Sequence, residues 1–190
     1  MSVPVSPQPR TMRAAVLKKP ATIDSGPLAG GLVPVPVPPT RQVLVRVHAC
    51  GICRTDLHVV EGDLPERRSP VIPGHQVVGV VESLGPGAEN SSVRIGDRVG
   101  VAWLRHTCGA CSFCTGEREN LCDRAEFNGY TADGGFAEYI TAPADFVYPI
   151  PAGFDDIQAA PLLCAGIIGY RSLRLAGLGG GPPRGSGAPP

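Results

Sequence analysis

Four cysteines near the middle of the sequence have the spacing of a metal-binding loop. They are Cys108, Cys111, Cys114 and Cys122, in a C-x2-C-x2-C-x7-C pattern. Structural zinc is held tetrahedrally by four such ligands, and short steps between cysteines allow one loop to wrap the ion. The loop has almost no apolar core, so the metal must supply the folding free energy, about 10–16 kcal/mol for such sites. The pattern therefore predicts a structural zinc lobe.

Two disulfides, four unrelated core cysteines and an iron–sulfur cluster are the alternative explanations of this lobe. The close spacing argues against unrelated thiols, and no other redox feature lies nearby to support a cluster. The sequence shows no apolar signal segment and no run long enough to span a bilayer. We therefore expect a cytoplasmic protein, in which the 7 cysteines favour metal ligands over disulfides.

A second group of metal-type ligands is more dispersed. Cys53 and His75 stand at predicted strand edges or turns, and Cys164 is isolated in a late helical stretch. Three protein ligands plus a water molecule form the usual catalytic zinc site, which keeps one position open for substrate. Alternatively, Cys164 is a core thiol and His75 a turn residue. The spacing by itself leaves this second site undecided.

Short valine-rich segments separated by turns must position these residues. In the segment 42–49, Val43, Val45 and Val47 share one face, as in a half-buried strand. The predicted strands cover residues 12–18, 42–49, 76–82, 98–102, 136–141 and 146–148. This pattern is typical of a partly open antiparallel barrel. Helix is predicted only late, from a cap at Asp155 to a stop at Gly177.

Composition and charge limit the number of domains and the classes of partner. The 190 residues include 17 Lys+Arg and 17 Asp+Glu, a formal net charge of zero. This balance predicts no nucleic-acid surface, and we expect no membrane partner. The length suits one core with a satellite lobe. We predict a folded domain over 12–177 with the zinc lobe at 104–124, a disordered leader over 1–11 and a disordered Gly/Pro-rich tail over 178–190.

Several motifs together resemble the zinc-dependent alcohol dehydrogenases of the medium-chain dehydrogenase/reductase family. They are the run Gly51–His58, the pair Gly74-His75, the four-cysteine lobe and the run Leu162-Leu-Cys164-Ala-Gly. The resemblance implies a mainly β fold with a few helices, a GroES-like partly open β-barrel that is normally followed by a Rossmann domain binding NAD(P). It also implies two Zn²⁺ ions, a catalytic one held by Cys53, His75 and Cys164 and a structural one held by the four lobe cysteines.

The same resemblance implies roles for the residues that follow Cys53. Asp56 orients the ligating imidazole, Thr55 and His58 relay the proton of the alcohol, and Arg54 reaches the pyrophosphate of the cofactor. The zinc ion lowers the pKa of the alcohol, and hydride passes to the nicotinamide. The implied activity is the interconversion of a primary or secondary alcohol and its aldehyde or ketone.

Four further positions concern the pocket and the metal environment. Trp103 and Leu104 resemble residues that line a pocket for a small alcohol or aldehyde, with surface packing as the alternative. Cys50 matches no ligand position and is expected to be a structural thiol. Gln76 stands where the family commonly has Glu, so one negative charge is missing behind the zinc. We expect a more electrophilic metal as a result.

The last residues depart further from the family. Residues 178–190 stand where the nucleotide-binding domain is expected, yet no G-x-G-x-x-G follows a strand anywhere in the sequence. We therefore expect a fragment that is inactive by itself, with a frameshifted remnant from about Gly179. The alternative is a non-catalytic zinc-binding module, and a nucleic-acid-binding ribbon is weaker still because the charge is balanced. The choice between NAD and NADP and formation of a homo-oligomer stay open.

Overall fold

The valine-rich segments form short strands in the computed structural model, which describes residues 10–178. The strands are β1 (Thr11–Leu17), β2 (Leu28–Pro34), β3 (Gln42–Gly51), β4 (Gln76–Leu84), β5 (Arg98–Val101), β6 (Leu104–His106), β7 (Glu126–Phe127), β8 (Tyr139–Pro143) and β9 (Val147–Pro149). The α-helices are α1 (Arg54–Glu61), α2 (Ser112–Thr115), α3 (Asp156–Ala159) and α4 (Ala165–Leu175). Single 3-10 turns lie between them, including Ala160–Leu163 directly after α3.

A five-stranded antiparallel sheet with the order β8-β3-β4-β5-β9 forms the centre of the fold. The hairpin β1–β2 is joined to the rest through the bridges Ala14–Ala137 and Leu17–Val71, and β6–β7 forms a third, two-stranded sheet. All strand pairs of the described part are antiparallel. The predicted partly open, mainly β architecture is thus confirmed, and residues 10–178 contain no doubly wound parallel sheet.

The core lies on one face of the large sheet, where valines from neighbouring strands meet. Val43 and Val45 of β3 are fully buried in this cluster and Val47 packs against it, while Arg46 is exposed. Alternation along β3 predicted this face because side chains of a strand point to opposite sides of the sheet. Leu44 is also buried, at 5% exposure, so both faces of β3 are covered at this end.

The prediction that helix occurs only late is wrong, because α1 directly follows β3. Cys53 is its N-cap: the Cys53 sulfur accepts from the Thr55 N–H, and the Asp56 carboxylate accepts from the Cys53 N–H. This is a reciprocal capping box with cysteine in the place usually taken by Ser or Thr. The sequence lacks the usual Ser, Thr, Asp or Asn at this position, and Cys53 supplies the cap instead.

The late helix is interrupted rather than continuous. Asp155 caps α3 as predicted, by accepting from the Gln158 N–H at 2.7 Å. The chain then tightens into a 3-10 turn containing Pro161 and leaves helical geometry at Cys164, with φ −133° and ψ −78°. Proline disfavours a continuous α-helix because it lacks an N–H and crowds the preceding turn. The break sets Cys164 apart from both helices.

Helix α4 ends as predicted but packs differently from a core helix. Gly177 has φ +70° and its N–H bonds the Arg174 carbonyl, which is a common way for a helix to end. None of the residues of α4 is buried. Its apolar side chains Ile167, Ile168 and Leu173 are about half exposed.

Some predictions concern the chain ends. Strand β1 begins at Thr11, one residue earlier than predicted. The rest of the predicted leader, residues 1–9, lies outside the described residues. Residues 179–190 of the predicted tail, to which the frameshift hypothesis applies, lie outside them as well. None of the helices within residues 10–178 combines the length and apolarity needed to cross a bilayer.

Candidate metal centres and active site

The four lobe cysteines converge on one point. Their sulfur atoms all lie within 4.8 Å of one another, with Cys111 Sγ 3.5 Å and Cys108 Sγ 3.9 Å from Cys114 Sγ. A tetrahedral zinc with Zn–S bonds of about 2.3 Å separates its sulfur ligands by about 3.8 Å. The donor type and the spacing of this cluster therefore fit a zinc ion.

The lobe has hardly any apolar interior, as its composition predicted. Within residues 108–124 only Cys114 and Cys122 are buried. Gly109, at φ +69°, gives the loop a turn that most side chains would strain. A segment without an apolar core cannot offset its conformational entropy by burial, which is the condition under which a metal ion becomes the folding element.

Backbone N–H groups favour the thiolate form of one lobe cysteine. The N–H groups of Ala110 and Cys111 lower the pKa of Cys108 to about 5, and the nearby Cys108 sulfur raises the pKa of Arg124. Burial raises the pKa of Cys114 to about 11. Metal binding requires all four sulfurs as thiolates, and positive groups around Cys108 offset part of that charge.

A second cluster joins Cys53, His75 and Cys164. Cys53 Sγ lies 3.4 Å from His75 Nε2 and 3.8 Å from Cys164 Sγ. A tetrahedral zinc with two thiolates and one imidazole requires similar separations. Within the described part of the chain, no fourth Cys, His, Asp or Glu belongs to this group. The donor set fits a zinc ion with one position that no side chain of residues 10–178 occupies.

Three separate parts of the fold deliver these ligands. Cys53 caps α1, His75 immediately precedes β4, and Cys164 stands at the break before α4. His75 follows Gly74, whose φ of +97° turns the chain into the sheet. The sequence alone indicated that these three side chains are of the metal-binding kind. Pairing of β3 with β4 and docking of the 3-10 turn Ala160–Leu163 on the sheet bring the three ligands together.

Asp56 connects α1 to the imidazole. Its Oδ1 lies 3.0 Å from His75 Nδ1 and its Oδ2 accepts from the Cys53 N–H at 2.8 Å. Asp56 and His75 are 3% and 1% exposed, so water does not compete for the carboxylate. With Nδ1–H donating to Asp56, the Nε2 lone pair points at Cys53 and is available to a metal.

The residues predicted to relay a proton lie on α1, near Cys53. The Thr55 N–H donates to Cys53 Sγ at 3.3 Å. His58 is partly exposed and its Nδ1 lies 2.7 Å from Asp63 Oδ2. The structure gives no direct hydrogen bond between the Thr55 and His58 side chains within residues 10–178. Asp63 was not foreseen, because only the turn at Gly62 after α1 brings it back to His58.

An aromatic group covers one side of His75. The Trp103 ring meets the His75 ring edge-on, with centroids 4.9 Å apart. Phe127 and Tyr130 stack on Trp103 at 5.0 and 5.8 Å. Neither residue was predicted, because both follow the zinc lobe in the sequence and return to Trp103 only through β7 and the turn after it. Leu104 lies in β6 opposite Phe127.

Three other predicted positions lie around the second cluster without joining it. Arg54 is exposed at the first turn of α1. Gln76 is 2% exposed, and its Nε2 is the one buried side-chain nitrogen or oxygen without a hydrogen bond in the described residues. Burial raises the pKa of Cys50 to about 12, and Cys50 belongs to neither metal-type group.

Comparison with known proteins gives one consistent family. Residues 39–152 match the alcohol dehydrogenase GroES-like domain. A probable alcohol dehydrogenase, AdhA, of Mycobacterium tuberculosis is 54% identical over 166 residues, which cover 86% of this chain and 48% of that protein. The chain spans about half the length of the curated relatives that it matches.

Solved structures agree with the sequence match. A cinnamyl alcohol dehydrogenase from Sorghum bicolor has a TM-score of 0.77 at 32% identity, over 89% of this chain and 49% of that one. A cobalt- and zinc-bound thermostable alcohol dehydrogenase from Pyrobaculum aerophilum has a TM-score of 0.71 at 33% identity, over 80% and 44%. The predicted GroES-like domain is thereby confirmed. The chain belongs to the zinc-dependent alcohol dehydrogenases of the medium-chain dehydrogenase/reductase family.

Proposed function

We propose that this protein is the catalytic part of an NAD(P)-linked alcohol dehydrogenase that interconverts small primary or secondary alcohols and their aldehydes or ketones. In this proposal residues 12–177 form the catalytic domain, with a zinc lobe over 104–124, and the chain holds two zinc ions. Family membership supports the reaction class, and the two clusters of donor atoms support the binding of two zinc ions.

One observation carries the proposal: Cys53, His75 and Cys164 meet with one tetrahedral position left without a side chain of the described residues. A purely structural zinc site is normally closed by four protein ligands, as the lobe would be. An open position is needed only where another molecule must reach the metal. We therefore assign the three-ligand cluster to catalysis and the four lobe cysteines to structure.

Each residue near the open position has a task in this mechanism. Cys53, His75 and Cys164 bind the zinc, and Asp56 holds the imidazole in the tautomer that presents Nε2. When bound, zinc would lower the pKa of the alcohol, and NAD(P) would supply the hydride acceptor. The Thr55 hydroxyl, on the residue whose N–H bonds Cys53, accepts the proton of the alcohol and releases its own towards His58.

The remaining residues carry the proton outward and hold the organic groups. His58 passes the proton to solvent, with Asp63 fixing its ring at Nδ1. Trp103, against His75, and Leu104 supply an apolar wall for the substrate. Arg54, exposed at the first turn of α1, would bind the pyrophosphate of the cofactor.

The activity test measures aldehyde-dependent oxidation of NADH or NADPH by the protein from its complete open reading frame. We expect turnover that falls by about 100-fold or more in Cys164→Ser, since charge stabilisation by the metal is worth several kcal/mol. The matched replacement Cys50→Ser should keep turnover, because Cys50 is no ligand in this proposal. A zinc-loaded protein that reduces no aldehyde would contradict the proposal and favour the non-catalytic module.

Replacing Asp56 with Asn should weaken zinc binding at the three-ligand site by about 10–100-fold. The amide has one acceptor oxygen, whereas the carboxylate serves His75 Nδ1 with one oxygen and the Cys53 N–H with the other. Competition with a chromophoric chelator measures the affinity. Asp63→Asn, a change of an exposed carboxylate, is the control and should leave zinc affinity unchanged. Equal affinities of Asp56→Asn and wild type would exclude this role for Asp56.

A further inference from the structure

A cavity of about 380 Å³ lies away from both metal clusters. It is bounded by the β1–β2 hairpin, by the segment that precedes His75, and by β6 and β8. Its walls are mainly apolar and include Met12, Val16, Val33, Val71, Ile72 and Ile140. Its size falls in the range of small-molecule sites, which are mostly apolar with a few placed polar groups.

The unusual group in this wall is Arg105, which is 6% exposed. Its Nη1 donates to Asn128 Oδ1 at 2.9 Å and to the Thr141 carbonyl, and its Nη2 donates to Gln42 Oε1 at 2.7 Å. All three acceptors are neutral. No carboxylate of residues 10–178 lies within ion-pair distance of this guanidinium.

A buried cation without a counter-ion is costly. Burial lowers the pKa of Arg105, but a guanidinium does not lose its proton in a protein. Of its five N–H donors, the hydrogen bonds above use three, so Nε–H and one N–H of Nη2 have no acceptor within residues 10–178. Nε is not among the fully buried unpaired atoms of these residues, so it keeps some accessible surface. Neighbouring nitrogens of this kind are the pair with which arginine binds a carboxylate through two parallel hydrogen bonds.

Two carboxylates, Asp133 in the cavity wall and Glu126 outside it, attract Arg105 from beyond ion-pair distance. Asp133 uses Oδ2 to pair with Arg68 at 2.8 Å and Oδ1 to accept from the Ile72 N–H at 3.0 Å. Two arginines and one aspartate therefore line the cavity, which leaves one positive charge in excess. An apolar enclosure with a single excess positive charge is complementary to a monoanion that has an apolar body.

We infer that this cavity binds a small monocarboxylate, with the carboxylate on Arg105 and an aliphatic or aromatic body against the apolar wall. Net charge and wall chemistry both favour a monocarboxylate over a phosphate ester or a dicarboxylate. The inference rests on the cavity and Arg105 and not on the proposed reaction.

Benzoate is the probe, added to the zinc-loaded protein and followed by calorimetry or ligand-observed NMR. We expect benzoate to bind and the uncharged isostere benzamide to bind at least about tenfold more weakly, since hydrogen bonds to charged groups are the stronger ones. Val33→Phe enlarges an apolar side chain of the cavity wall and leaves the Arg105 side chain unchanged, so it should weaken benzoate binding by a similar factor. Arg105→Lys keeps the charge but loses the paired donors and should also weaken it.

Binding of benzoate to the zinc ion of the three-ligand cluster must be excluded, since a carboxylate also binds a zinc ion that has an open coordination position. Cys164→Ser disturbs the three-ligand cluster and leaves the cavity intact, so benzoate binding should be unchanged in this variant. Loss of binding in Cys164→Ser but not in Val33→Phe would overturn the inference in favour of the metal. Absence of benzoate binding, or equal binding of benzamide, would overturn it as well.

Discussion

Replacement of Cys111 with serine is expected to release one zinc ion per chain and to unfold the lobe over residues 104–124. Serine is a poor zinc ligand, and the lobe has only Cys114 and Cys122 buried within 108–124, so little else holds it folded. Structural zinc contributes about 10–16 kcal/mol of apparent binding free energy in small metal-dependent units. Elemental analysis and limited proteolysis together report the loss of metal and the exposure of the lobe.

The matched control is Cys164→Ser, which changes the same side chain in the other cluster. It should empty the three-ligand site yet leave the lobe and the β-sheet folded, since Cys164 stands at a helix break and not in the core. In the wild type we expect two zinc ions, with chelation removing the one in the three-ligand site first. Equal losses of stability in Cys111→Ser and Cys164→Ser would refute this division between a structural and a catalytic metal. A reduced wild-type protein that contains at most one zinc ion would refute it too.

Gly134→Ala is expected to destabilise the whole domain by about 3 kcal/mol or more. A Cβ on Gly134 would lie 2.0 Å from the Gly74 carbonyl oxygen and 2.7 Å from that of Pro73. Those atoms cannot move aside, because the N–H of Gly134 bonds the Ile72 carbonyl and the N–H of Gly135 bonds that of Gly74. Since His75 follows Gly74, the strain would reach the three-ligand site.

Urea unfolding and zinc titration measure the two effects of Gly134→Ala. Gly169→Ala is the control, since a Cβ there has no neighbour within 4 Å and alanine favours a helix such as α4 by about 1 kcal/mol over glycine. It should leave stability unchanged or raise it. A Gly134→Ala protein within about 1 kcal/mol of the wild type would show that the two segments do not cross as closely as described.

Local features of this protein were predictable because they depend on residues close together in the chain. The four lobe cysteines lie in one loop, so their spacing alone indicates that they can converge. Alternating valines indicated strand β3, and Asp155 indicated the start of α3. Each of these signals reflects the fixed geometry of a strand, a cap or a metal-binding turn.

Helix α1 and the break at Cys164 were not predictable in this way. The cap of α1 uses Cys53, which is not among the common N-cap residues. Apolar spacing after Asp155 favoured one continuous helix, whereas Pro161 and packing against the sheet interrupt it. In both places a potential metal ligand stands where regular structure begins or ends, and there the local pattern departs from the usual helix signals.

The residues alone indicated which kinds of side chain this protein can use: its seven cysteines, the imidazole of His75, a neutral overall charge and a mainly β pattern. Which of these side chains meet depends on tertiary packing. Cys53 and Cys164, 111 residues apart, come together through strand pairing and the docking of a 3-10 turn. The folding of β6 against β8 buries Arg105 without an ion pair to any carboxylate of residues 10–178. Such contacts depend on the cooperative packing of the whole sheet, and no local pattern of residues specifies them.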